Sequence, residues 1–129
     1  MDQHGNLYGT ARLGGTSGGG TAFQLTPSGG AWTYHLMQAF PGIEGPFDTP
    51  TLDAAGNVYV TCTWTGGWGS LFELTPLDGG WNSNLLYSFT FGGGSVPVGS
   101  VLLDANGNIY GTASSGGGDG KGVVFEITP

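Results

Sequence analysis

Basic side chains are almost missing from this sequence: Arg12 and Lys121 stand against nine acidic residues in a chain of 129. Phosphate contacts need clustered Lys and Arg, so nucleic acid is not an expected partner, and attraction to anionic membranes falls away with it. No apolar run comes near the ~20 residues of a membrane span, so membrane insertion is not expected. The opening MDQHGN has neither the basic start nor the apolar core of a signal peptide. One cysteine, Cys62, rules out an internal disulfide framework. It stands where Ala11 and Ala113 stand elsewhere in the chain, which points to a small packing residue ahead of a reactive thiol. No stretch of a dozen residues escapes Gly, Pro or a β-branched cluster, so almost no α-helix is expected. Charge is thin at 9%, yet 38% of the residues are hydrophobic, which is too apolar for a disordered composition.

What is present is repetition. Residues 2–10 read DQHGNLYGT, 53–61 read DAAGNVYVT and 104–112 read DANGNIYGT, with Asp2, Asp53 and Asp104 spaced 51 residues apart. A fixed period of this size marks propellers and solenoids. A second phrase recurs as FQLTP at 23–27, FELTP at 72–76 and FEITP at 125–129. Two more occur twice each: PTLD at 50–53 with SVLLD at 100–104, and GGAWTYHLMQAF at 29–40 with GGWNSNLLYSF at 79–89.

Each phrase reads as a strand. In GNVYVTC, Val58, Val60 and Cys62 alternate with Tyr59 and Thr61, the period-2 pattern of a half-buried strand, and Phe72 and Leu74 alternate likewise with Glu73 and Thr75. In the longest phrase, Trp32, Leu36, Gln38 and Phe40 are expected on one face, matched by Trp81, Leu85, Tyr87 and Phe89. Trp32 and Trp81, at one position of the unit, are expected in the core. Within D-x-x-G-N the carboxylate accepts backbone hydrogen bonds and the glycine takes positive φ, so Asp2, Gly5, Asn6, Asp53, Gly56, Asn57, Asp104, Gly107 and Asn108 are read as structural turns. That reading is preferred over metal ligation, since nothing adjacent supplies the further oxygens a calcium site needs.

The expected fold is all-β: a β-propeller-type repeat of four-stranded antiparallel blades, about two and a half to three per chain. It forms one repeat domain over 1–129, with units of approximately 1–49, 50–99 and 100–129. DAAGNVYVT, GGGTAFQLTP and GGWNSNLLYSF resemble the Gloeo/Verruco (GloVer) tandem repeats of choice-of-anchor proteins. The pattern L-x-x-D-x-x-G-N-φ-Y is also similar to the entry strands of NHL-type propeller blades. The resemblance covers nearly the whole chain and implies an extracellular or bacterial cell-surface location. It brings no catalytic residues. No anchor or sorting segment is read in the chain, and the middle unit departs from its neighbours with TWTGGWGS.

Labelled A to D in the order PTLD, GNVYVT, FELTP and the Trp-to-Phe phrase, the strands run B-C-D, A-B-C-D, A-B-C, so both terminal units are expected to be incomplete. Three blades do not close a ring of ordinary curvature, and an array without polar caps leaves an unpaired edge. A piece of a longer array, a closed ring of copies and an open head-to-tail filament all follow from that edge. Other copies of the chain are the expected partners.

Signs of chemistry are few. His4 falls in the first turn and His35 on a strand, and neither lies in a motif. The runs GGTSGGG, GGGS and SSGGGDGKG lack the strand-loop-helix context of a phosphate loop and read as hairpin connections. Trp64 and Trp68 are read as packing or interface residues first and as glycan contacts second. No cofactor and no metal is expected. The sequence therefore reads as a non-catalytic, self-assembling structural repeat protein, with a lectin-like propeller as the alternative and a propeller hydrolase or lactonase third.

Overall fold

The fold is taken from a computed structural model that describes residues 1–42, 45–63 and 67–129. Among these residues there are ten strands and no α-helix: β1 (Leu7–Ala11), β2 (Thr21–Ser28), β3 (Ala31–Ala39), β4 (Thr51–Leu52), β5 (Val58–Cys62), β6 (Ser70–Leu77), β7 (Gly80–Ser88), β8 (Ser95–Leu103), β9 (Ile109–Ser115) and β10 (Val123–Ile127). They make three antiparallel sheets, ordered β1-β2-β3, β4-β5-β6-β7 and β8-β9-β10. The all-β expectation holds, and the sheets do not close on one another.

The strands alternate as the period-2 pattern requires, and the turns supply the reversals. Between β2 and β3, Ser28 pairs with Ala31 across Gly29 and Gly30, whose φ values of 58° and 87° are those of a two-residue hairpin turn only glycine enters freely. The register is then interrupted once in each long hairpin, at Ala22/Phe23 in the first sheet and at Leu71/Phe72 in the second. Each interruption is a β-bulge, which inserts one unpaired residue and reverses the alternation beyond it.

That bulge corrects one expectation. Phe23 pairs with Leu36 and Ala22 with Gln38, so Met37 is the inserted residue, and Met37 and Phe40 are buried while Leu36 is exposed. The single face expected for Trp32, Leu36, Gln38 and Phe40 is therefore split in two. Trp32 is not core either: 52% of it is exposed, whereas Trp81 packs against a buried cluster. The reason is positional. Trp81 is covered edge-on by Tyr8 of the first sheet, with ring centroids 6.3 Å apart, and among the described residues no sheet lies on the corresponding face of the first.

Burial lies between sheets. Ala22, Met37 and Phe40 from the first meet Val58, Val60, Cys62 and Leu74 from the second, with Tyr8, Leu52, Phe72 and Trp81 at the margin. The second joint repeats the scheme with Leu71, Phe89, Val101 and Ile109, flanked by Tyr59, Leu103, Phe125 and Ile127. Phe40 meets Phe72 at 5.2 Å and Phe89 meets Phe125 at 5.0 Å, both edge to face. Polar links cross the same joints: Thr10 Oγ1 donates to Asp48 O at 2.9 Å, and Thr61 Oγ1 to Gly99 O at 3.4 Å.

Leu74 is fully buried and Leu77, three residues further along β6, is 62% exposed. Leu74→Ala is expected to cost about 2–5 kcal/mol, whereas Leu77→Ala stays within about 0.5 kcal/mol. Urea unfolding of the two variants checks this, and equal midpoints would contradict the assigned core.

Candidate functional site

Three places gather side chains with chemistry: the D-x-x-G-N turns, a groove between the first and second sheets, and the segment around Trp68. The turns recur with the same bonds. Asp53 Oδ1 accepts from the amides of Ala55 and Asn57 at 2.9 Å each, and Oδ2 accepts from Asn57 Nδ2 at 2.8 Å. Asp2 makes the same bonds with His4 and Asn6, and Asp104 with Asn106 and Asn108. Gly5, Gly56 and Gly107 take φ of 82°, 89° and 84° and donate back to the aspartate carbonyls. Each carboxylate thus has both oxygens occupied inside its own turn. Among the described residues no group of three His, Cys, Asp or Glu is arranged to hold a metal ion.

A partner that sequence reasoning missed is the tyrosine six residues on. Tyr8, Tyr59 and Tyr110 reach back to Oδ2 of Asp2, Asp53 and Asp104 at 2.9, 3.2 and 3.4 Å. The signal was present in the constant D-x5-Y spacing. Across the strand pair, Tyr59 also meets Glu73 Oε1 at 3.1 Å and Tyr110 meets Glu126 Oε1 at 3.0 Å. In the first sheet the acid is replaced by Gln24, whose Nε2 donates to the Tyr8 hydroxyl at 2.8 Å.

These contacts set the electrostatics. Partial desolvation pushes the Asp2 carboxyl upward, but the bonds from Asn6, Tyr8 and His4 outweigh it and hold the pKa at about 2, below the ordinary 3.8. At Asp104 the Asn108 side-chain bond is the leading cause of a lowered value. Burial and the neighbouring carboxylates push the Tyr59 phenol up. Tyr8 is raised by burial and by its bond to Asp2, and Tyr110 by its bond to Glu126.

The groove, about 840 Å³ in volume, is lined by His4, Tyr8, Gln24, His35, Leu77 and Trp81 among others. It brings together both histidines of the chain, which no local pattern associates. His35 Nε2 lies 3.1 Å from Thr26 Oγ1. Among the described residues no carboxylate bonds to that imidazole. The groove has its own character because residues unlike those of the other units line it: Gln24 where they have Glu73 and Glu126, His35 where the second has Asn84, and His4 where they have Ala55 and Asn106.

Trp68 is 44% exposed and rests against the exposed Phe91 with centroids 5.5 Å apart. Its carbonyl accepts from the amide of Val96 at 2.7 Å. Val96 has φ 57°, a strained conformation for a β-branched residue. Trp64, the other tryptophan singled out from the sequence, lies outside the described residues. Cys62 is buried in the first joint.

Two outcomes test the turn. Asp53→Ala strips acceptors from four donors and is expected to cost about 1–3 kcal/mol, read by thermal melting. Acid should do the same at the first turn. Folding lowers the Asp2 pKa from 3.8 to about 2, so its stabilisation is complete above the unfolded value and is lost as pH falls through that window. Melting temperatures should therefore fall from about pH 4 to about pH 2, and less steeply in Asp2→Asn; a parallel decline in both proteins would remove Asp2 from the account.

The sequence model of one repeat family, the Gloeobacter/Verrucomicrobia repeat, matches residues 1–129. No curated protein and no solved structure matches the chain. The threefold turn, the repeated joints and a match over the full length agree that the chain belongs to the Gloeobacter/Verrucomicrobia repeat family.

Proposed function

We propose that this chain is a non-catalytic structural repeat protein of the bacterial cell surface or extracellular space, that its sheets act as propeller-type blades, and that it assembles with further copies of itself into a ring or filament. The observation that carries the reading is the state of the two terminal sheets. Each has three strands where the middle one has four, and among the described residues β1 and β10 each keep one edge that no strand pairs. Unpaired edges template association unless something blunts them, and β10 carries only one charged side chain, Glu126. A weakly charged, glycine-rich exterior suits a packed surface material, and family membership supports a repeat role. The absence of a third group on the Thr26–His35 pair gives no support to hydrolysis.

One observation favours a second reading, in which the chain binds a glycan. The groove between the first two sheets is lined by Tyr8 and Trp81 beside an amide and two imidazoles, and Trp68 offers another half-exposed ring. Rings that stack on sugar faces and side chains that bond hydroxyls are the chemistry a neutral saccharide needs. A glycan array in which binding is lost with Gln24→Ala, His35→Ala or Trp68→Ala while assembly persists would favour this reading.

The structural reading is tested by light scattering with negative-stain images of the same sample. Particles of a few chains mean a ring, and long fibres mean an open polymer. A monomer at every concentration refutes assembly.

A further inference from the structure

One position of the repeat shows which faces are closed. The residue before each F-x-[LI]-T-P phrase is Ala22, Leu71 or Val124. Ala22 and Leu71 are fully buried, because each faces the sheet that follows; Val124, in the same place on the third sheet, is 81% exposed. Leu102 beside it is 72% exposed, and both line a shallow hollow with Tyr110 and Thr112. The opposite faces behave in mirror fashion. Val58 and Ile109 are buried under the preceding sheet, while the equivalent Leu7 is only partly covered, and Trp32 and Leu36, on the same face of the first sheet, are about half exposed.

The two internal joints are therefore one joint used twice, a tyrosine-bearing face meeting a valine-bearing face. The chain holds one unused half at each end. Leu7, Phe23, Leu25 and Trp32 form the valine-type half on the first sheet. Leu102, Tyr110 and Val124 form the tyrosine-type half on the third. We infer that a second copy of this chain closes this joint: its first sheet stacks on the third sheet of its neighbour, with Trp32 seated edge-on against Tyr110 as Trp81 is against Tyr8. This rests on the assembly reading above and specifies its surface.

The chemistry of the internal joints supports the match. At the tyrosine-type end Tyr110 bonds two acids, Asp104 and Glu126. Glu73, the counterpart of Glu126, is bonded to Tyr59 in the same way at the second joint and is accommodated there. Large aromatic anchors in a mostly apolar face are what protein contacts concentrate their energy on. The halves are unlike, so the contact is heterologous: every copy points the same way, and a two-fold dimer through one face does not satisfy it. The joint between copies is also smaller than the internal ones. Phe40 and Phe89 each cover a phenylalanine of the next sheet. Among the described residues the third sheet holds β8, β9 and β10, none of which supplies a third such residue, and Phe23 instead has Tyr34 of its own sheet 5.5 Å away. Assembly should accordingly be reversible and depend on concentration.

The test uses two blocked variants, Trp32→Arg for the first-sheet half and Val124→Arg for the third-sheet half. Both side chains are exposed, so both variants should keep the wild-type melting temperature, which is measured first. Each alone should run as a 13.1 kDa monomer in sedimentation velocity, with self-association weakened roughly 30-fold or more, as for loss of one hot-spot side chain. An equimolar mixture should form a one-to-one dimer and nothing larger, because the first variant keeps an intact third sheet and the second an intact first sheet. Either variant assembling like wild type, or two monomeric variants that do not pair on mixing, would overturn this joint. Wild type that is itself monomeric would overturn the assembly reading together with it, so the two failures are distinguishable.

Discussion

Sheets of three or four short strands enclose no core of their own, so the fold depends on apolar burial between one sheet and the next. Isolated small sheets are marginal in water and need a covered face. Here each internal sheet face is covered by a neighbour built from the same phrase, and the two joints reuse the same positions. Val58 and Ile109 are buried at equivalent places, as are Ala22 and Leu71. Repeat architectures work this way in general: stability is the sum of weak units and the contacts between neighbours.

The D-x-x-G-N turn serves that burial. It lies at the entry to β1, β5 and β9, the strands that carry Tyr8 and Tyr59 into the internal joints and Tyr110 onto the open face of the third sheet. By bonding both the turn amides and the tyrosine hydroxyl, each aspartate sets where the chain reverses and which way the ring points. A slip of one residue would send Tyr59 to the valine-type face and Val58 and Val60 to the tyrosine-type face, losing both joints at once. The carboxylates are thus committed to register, which explains why they recur so strictly.

The repeat period, the ten strands and the turn chemistry were legible in the sequence because all three are local. Strand alternation has a period of two, and a turn needs only its own few residues. The place of Trp32 was not legible. It shares its position with Trp81, but its environment is decided by whether another sheet lies on its face, which no local pattern records. The split between Leu36 and the buried Met37 and Phe40 was missed for a different reason: a bulge at Ala22/Phe23 reverses the alternation in mid-strand and has no residue signature strong enough to place it. The groove went unread because its residues come from two sheets, and its only trace was three departures from the repeat, at His4, Gln24 and His35.

Those departures separate the two roles a repeat can take. Positions that keep the period, such as the aspartates, the tyrosines and the apolar residues of the joints, answer to stacking, since every joint imposes the same demand. A position where one unit differs from both others answers to something only that unit meets. Gln24 in place of glutamate keeps the bond to the tyrosine, with its direction reversed, so stacking does not require the change. It removes a negative charge from the groove that also holds both histidines. Constancy along this chain therefore marks the joints, and departure from it marks the surface most open to acquiring a ligand.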